Sequence, residues 1–255
     1  MAAVENGSEK HALAGKRAVV TGGSRGIGAG VVRHLLDAGA EVLAAARSAT
    51  PEVPEKAHFV AADLRTREGI DAVAASAREV LGGVDIVVHT AGGARAQDGA
   101  TGTPDEVWQD TLDLNLLAAV RLDRLVIPEM RERGSGAIVH VSSAATPVPG
   151  PYFLHYTAAK AALENYSRGL ATELAPSGIR VNTVSPGRTA TPGGEATREE
   201  WARLYGDGTA TAIPPLGRDG TPDDLAQAVL FLVSDRASWI TSAHLVVDGG
   251  EFPRA

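Results

Sequence analysis

The chain has 255 residues, of which 24 are basic, 31 acidic and none cysteine, for a formal charge of −7. That length supports a sizeable core without disulfides, and the lack of thiols excludes thiolate catalysis, Cys-ligated zinc and iron–sulfur clusters, so redox chemistry would need a bound cofactor. The acidic balance argues against a general nucleic-acid or anionic-membrane binder, and no stretch approaches the ~18 consecutive apolar residues of a membrane span.

Residues 1–14 are polar, lack sustained periodicity and lack the basic and apolar blocks of a signal peptide, so they are expected to form a flexible tail on a cytoplasmic protein. Beyond them, short β-rich runs at Ala18–Thr21, Glu41–Ala45, His58–Ala61, Val84–His89, Ala137–Val141, Arg180–Val184 and His244–Val247 predict seven strands. Apolar residues at helical spacing predict helices near Ile27–Ala38, Thr66–Leu81, Thr103–Arg133, Tyr152–Ala175 and Thr221–Ser234. Thr221 can cap the last of these, with Pro222 at its first position, and Gly39 stands where a left-handed residue ends the first. Strands alternating with helices predict a parallel sheet covered on both faces. Residues 15–255 are expected to form one domain, with the long stretch 185–220, rich in Pro and Gly, as a substrate lid.

The first strand runs into Thr21-Gly22-Gly23-Ser24-Arg25-Gly26-Ile27-Gly28 and then a helix. Such a turn offers backbone N–H groups and a helix N-terminus to a diphosphate, and glycines let it approach without a Cβ clash. This makes the sheet Rossmann-like and doubly wound. The second strand ends in Ala44-Ala45-Ala46-Arg47, where NAD-binding folds usually carry a carboxylate for the ribose hydroxyls. A missing acid with Arg47, and with Arg25 inside the turn, suits the extra phosphate of NADP, since guanidinium forks onto phosphate oxygens. Tyr156 and Lys160, four apart on a helix, share a face, and an ammonium beside a phenol is expected to lower the phenol pKa. Ser142-Ser143 ends the fifth strand at the carboxyl edge of the sheet, where open α/β folds place their sites.

These residues, in this order, resemble the short-chain dehydrogenase/reductase family from about Leu13 to Phe252. The resemblance implies catalytic roles for Asn115, Ser143, Tyr156 and Lys160: Ser143 holding a carbonyl oxygen, Tyr156 supplying the proton, Lys160 lowering the tyrosine pKa and holding the nicotinamide ribose, and Asn115 anchoring a relay water. It implies cofactor contacts at Gly22, Ser24, Arg25, Gly26, Ile27, Gly28, Arg47, Asp63, Leu64, Ala91, Gly92, Tyr156, Lys160, Pro186, Gly187 and Thr191, with NADP(H) as the cofactor. Substrate contacts are expected at Gly93, Ala145, Tyr152, Phe153 and His155. The family usually has Asn-Ala-Gly after the fourth strand, whereas this chain has Thr90-Ala91-Gly92, which puts a local hydrogen bond in doubt.

The expected activity is therefore NADP(H)-dependent interconversion of a ketone and a secondary alcohol, on a small-molecule substrate. One alternative is a β-ketoacyl-carrier-protein reductase, docked through Arg131, Arg133 and Arg168; another is a non-catalytic dinucleotide sensor or scaffold. Ser143 lacks the GxSxG elbow of hydrolases, and no pair of histidines has metal-ligand spacing on a helix, so no metal is expected. Ala118, Ala119, Ala161 and Ala162 permit close helix approach, and with the family's habit of pairing they imply a homotetramer.

Overall fold

The computed structural model describes residues 11–205 and 213–252. Seven strands form one parallel sheet: β1 (Arg17–Thr21), β2 (Glu41–Ala46), β3 (His58–Ala61), β4 (Ile86–His89), β5 (Gly136–Val141), β6 (Ile179–Pro186) and β7 (His244–Val247), in the order β3-β2-β1-β4-β5-β6-β7. The central strands are continuous apolar runs because both of their faces are buried. Val19, Leu43, Val87, Ile138 and Val181 point to one side and pack on α2 (Arg67–Leu81), α5 (Ala118–Arg133) and α6 (Leu154–Leu174). The alternating set Ala18, Val20, Val42, Val88, Val139 and Val184 points to the other side, onto α1 (Gly26–Asp37) and α8 (Pro222–Val233). Strand order reverses between β1 and β4, so a crevice opens beyond their carboxyl ends, next to Thr21 and His89.

Local chemistry sets the helix ends. Thr221 and Asp224 form a reciprocal capping box at the start of α8, with Pro222 at its first position. Gly39, at φ 93°, supplies the left-handed residue after α1.

Three expectations change. Leu13 is 1% exposed and its N–H donates to Ala38 O at 2.9 Å, so ordered packing starts inside the stretch read as a tail; residues 1–10 lie outside the described residues. Thr103–Arg133 is helical from Asp105 onward but not uniformly α. It divides into α4 (Asp105–Leu112), a π-helical turn at Asp113–Leu117 and α5, with a further short helix α3 (Gly99–Gly102) before it. The stretch expected to be an irregular lid contains α7 (Pro192–Tyr205), started by Thr191, whose Oγ1 accepts from Gly194 N–H at 3.0 Å; residues 206–212 of that stretch lie outside the described residues. Among the described residues no helix is long and apolar enough to cross a membrane.

Candidate active site

The glycine turn closes the crevice from the β1 side. Gly22 has φ 69°, and a Cβ there would lie 2.8 Å from the Ala91 backbone, so only glycine lets the β1 and β4 ends meet so closely. Thr90 repairs the expected defect: its hydroxyl donates to Thr21 O at 2.5 Å, while Thr90 N–H donates to the same oxygen at 3.2 Å. A hydroxyl at this position thus ties the end of β4 to the end of β1.

Arg25 occupies the N-cap position of α1 without a capping hydrogen bond, and its side chain is exposed, as is that of Arg47 at the end of β2. The β2–β3 connection contains no helix and folds back on the glycine turn: Thr50 Oγ1 donates to Ser24 O, and Gly26 N–H donates to the Glu52 carboxylate at 2.9 Å. Ile27 and Gly28 occupy the first turn of α1. Thr191 at the base of α7 packs over this turn, since a Cβ on Gly26 would lie 3.2 Å from its methyl carbon. Asp63 is held by a two-point ion pair with Arg65, whose guanidinium lowers the carboxyl pKa, and Leu64 is buried.

Across the crevice, the π-helical turn presents Asn115 inward, a common use of such bulges. Asn115 Oδ1 accepts from Gly93 N–H at 2.9 Å, and its Nδ2 donates to Gly93 O and Thr111 O, both at 3.0 Å. A Cβ on Gly92 would lie 2.8 Å from Lys160 Nζ and 2.9 Å from Asn115 Oδ1. Ala91, Gly92, Asn115 and Lys160 thus meet at one place, as the sequence predicts.

Ser143 follows β5 and its hydroxyl is hydrogen-bonded to the Tyr156 phenol. Lys160 is 3% exposed; its Nζ donates to Val141 O at 2.8 Å and lies 5.9 Å from the Tyr156 ring centroid. Burial pulls the Lys160 ammonium down to about 8, with the Glu164 carboxylate acting against it. The Tyr156 phenol is pushed up, not down: desolvation raises it and the Ser143 hydrogen bond opposes this. The expected lowering by Lys160 is absent in this arrangement because the ammonium faces the Val141 carbonyl and sits at distance from the ring.

Two of the segments expected to meet substrate touch each other and α7. Gln97 N–H donates to Tyr152 O at 2.9 Å, and Ala96 N–H donates to the Glu200 carboxylate at 3.0 Å, latching α7 onto the loop that begins at Gly93. Tyr152, Gln97 and Glu200 border a groove of about 390 Å³. Ala145 is half-buried beside Ser143, and its N–H donates to Ser143 Oγ at 3.3 Å. Phe153 is buried. His155 stands edge-on to Trp108 of α4, 6.1 Å between centroids, its pKa lowered by burial against an opposing interaction with the Arg95 backbone. Pro186 ends β6 opposite Val247 of β7, and Gly187 follows it, its N–H donating to Val247 O.

One cluster was not foreseen. His89 and His140 stack 5.0 Å apart with planes 6° from parallel, and their Nε2–H groups each donate to one oxygen of the buried Asp123 carboxylate, at 2.8 and 3.2 Å. Tyr166 O–H adds a third donor at 3.1 Å. These donors hold the Asp123 carboxyl well below the usual range, against the burial that would raise it, while burial lowers His140. The group has metal-ligating chemistry, yet both carboxylate oxygens already accept hydrogen bonds. It braces the ends of β4 and β5, which lead into Ala91-Gly92 and Ser143. Helix spacing could not reveal it, because its members come from two strands and two helices.

A family profile described as enoyl-(acyl carrier protein) reductase matches residues 22–251. The chain belongs to the short-chain dehydrogenase/reductase family. It is 36% identical over 249 residues to 3β-hydroxysteroid dehydrogenase 1 of Eggerthella lenta, covering 93% of this chain and 94% of that one. It is 34% identical over 247 residues to the 3-oxoacyl-[acyl-carrier-protein] reductase of Vibrio cholerae, covering 94% and 98%. Among solved structures, the L-sorbose reductase of Gluconobacter frateurii, complexed with NADPH and L-sorbose, superposes with a TM-score of 0.86 at 34% identity, covering 96% of this chain and all of that one. Relatives of similar identity are named for different substrates, so the comparisons assign an oxidoreductase of this family and no substrate.

Proposed function

We propose that this protein is an NADP(H)-dependent ketoreductase, interconverting a ketone and a secondary alcohol. The observation that carries the reading is the convergence of Ser143, Tyr156, Lys160 and Asn115 at the crevice beside the glycine turn. The turn fits a dinucleotide: glycines stand where Cβ atoms would collide, the N-terminus of α1 faces the crevice and two exposed arginines flank it. Gly22, Ser24, Gly26, Ile27 and Gly28 would take the diphosphate and adenosine side, with Arg25 and Arg47 on the 2′-phosphate and Asp63 and Leu64 beside the adenine. Ala91, Gly92, Pro186, Gly187 and Thr191 would hold the nicotinamide half. When bound, the dinucleotide supplies the hydride.

The chain's residues do the rest. Ser143 fixes the carbonyl oxygen by hydrogen bond, and Tyr156, protonated because desolvation holds its pKa up, donates the proton to that oxygen. Lys160 contributes positive charge behind the phenol and binds the ribose hydroxyls. Asn115 locks Gly93 and so shapes the loop that borders the substrate.

Cofactor choice is testable. A charge-assisted hydrogen bond contributes ~1.5–3 kcal/mol, which corresponds to about tenfold to a hundredfold in affinity. NADPH is therefore expected to exceed NADH by about tenfold or more in kcat/KM, and Ala46→Asp with Arg47→Ile to erase or reverse that order. Equal use of the two by the wild-type protein would make both arginines ordinary surface residues.

The carrier-protein alternative would use Arg131, Arg133 and Arg168, of which Arg168 is exposed, and turnover of a carrier-linked thioester far above that of free ketones would favour it. Arg131 pairs with Glu173 at 2.5 Å, and Arg133 is bound to Val84 O and to Asp85. A sensor or scaffold would have no use for the four polar groups at the crevice. We propose a homotetramer, although Ala118 and Ala119 do not serve it: both are buried within the chain, and Ala118 packs in the core between α5 and the sheet. Ala161 is exposed on α6 and remains available for close helix approach. Light scattering is expected to give about four times the 26.3 kDa chain mass; a monomer at micromolar concentration would reject this.

A further inference from the structure

Glu164 follows Lys160 by one turn of α6, on the same face, and both side chains are buried. Its Oε1 accepts from Ser142 Oγ, at the end of β5, at 2.7 Å and from Thr146 Oγ1 at 2.8 Å. His244 of β7 brings its Nε2 to 3.8 Å from the same oxygen and to 2.6 Å from Ser185 Oγ of β6. The carboxylate is therefore fixed by two hydroxyls, from β5 and the loop after it, at the inner end of the site. The titratable groups around the pair are Tyr156 on α6, His140 on β5 and His244 on β7.

Resting on the ketoreductase reading, we propose that Glu164 is a positioning residue that keeps the Lys160 ammonium charged, and so able to hold the cofactor ribose, toward alkaline pH. An ammonium buried against the Val141 carbonyl has little solvent to hold its proton, and a fixed carboxylate one turn away replaces that solvation with a Coulombic one. Burial draws Lys160 down to about 8, and Glu164 is the group that resists the decline. Ser142, which adjoins the serine bound to Tyr156, serves here as an anchor for the carboxylate; this gives the first member of the Ser142-Ser143 pair a separate task.

The sign follows directly. Neutralising Glu164 removes the stabilisation of the charged form, so Lys160 loses its proton at lower pH and the alkaline limb of kcat/KM moves down, by about one unit for the loss of one nearby opposite charge. Glu164→Gln retains an oxygen to accept both hydroxyls and so preserves the fold. The test compares wild type, Glu164→Gln and Glu164→Asp in NADPH-driven reduction from pH 6 to 10. Alongside, the Lys160 15Nζ resonance is titrated in lysine-labelled, cofactor-free protein, with Lys160→Arg for assignment. The expected result is a limb and a 15Nζ midpoint both lower by about one unit in Glu164→Gln, and restored toward wild type in Glu164→Asp. Should the Gln variant fail to fold, Glu164→Met is the second neutral variant and moves both midpoints the same way. Unchanged midpoints in a folded neutral variant overturn the proposal. Retention of turnover by Tyr156→Phe would overturn the underlying reading instead, while leaving the 15Nζ comparison valid.

Discussion

Tyr156→Phe is expected to lower kcat by about 10²–10⁴-fold, the range for removing a positioned proton donor, while leaving NADPH affinity within a few-fold. The substitution deletes one hydroxyl and keeps the ring, the Lys160 hydrogen bond to Val141 O and the glycine turn. Because the phenol is hydrogen-bonded to Ser143, the loss should fall on kcat and kcat/KM together, the pattern of an interaction made in the transition state. Single-turnover rates with NADPH binding followed by fluorescence separate the two effects. Turnover within tenfold of wild type would mean that another group donates the proton.

The second large effect concerns stability. Asp123→Ala removes the carboxylate that accepts from His89, His140 and Tyr166, leaving three donors in the interior without an acceptor. Removing one partner from a buried ionic network costs ~3–5 kcal/mol, which for a domain of this size corresponds to a fall in Tm of roughly 6–20 °C. The same network predicts acid sensitivity. His140 is held below its ordinary value, so the unfolded chain binds more protons and stability is lost as pH falls below ~6.5. Asp123, also depressed, adds stability that is present above ~3.9 and lost as pH falls further toward its folded value. Calorimetry of wild type and Asp123→Ala between about pH 2 and pH 8 reads both; a Tm change under about 2 °C at about pH 7 would show that the cluster carries no such energy.

Much of the fold was legible because its signals are local. His58–Ala61 and His244–Val247 are strands with the bounds that their apolar runs predict, and Thr221 caps α8 as its side chain dictates. The site residues were legible because Tyr156 and Lys160 are one helical turn apart and the glycine turn is contiguous. Glu164 could have been found by that same spacing, as the next residue on the face after Lys160. The π-helical turn at Asn115 was not legible, since Thr103–Arg133 keeps helical periodicity through it and only the hydrogen bonds to Gly93 and Thr111 show what the bulge achieves. Neither was the Asp123 cluster, nor the return of Glu52 to the Gly26 N–H: each joins residues far apart in the chain, and a lone carboxylate in a loop carries no pattern. The tyrosine pKa went the other way from expectation because spacing reports which residues share a face but not where an ammonium points.

The most direct test of the account follows the hydride itself. Purified protein is given NADPH deuterated at C4 and a panel of ketones that spans hydroxyketones, cyclic and steroid ketones, and 3-oxoacyl thioesters, and the products are read by mass spectrometry. The account predicts, for at least one class, an alcohol carrying one deuterium at the former carbonyl carbon, formed in step with NADPH loss and absent with Tyr156→Phe. Tight NADPH binding with no deuterated alcohol from any class would contradict it and favour a dinucleotide-binding role without chemistry.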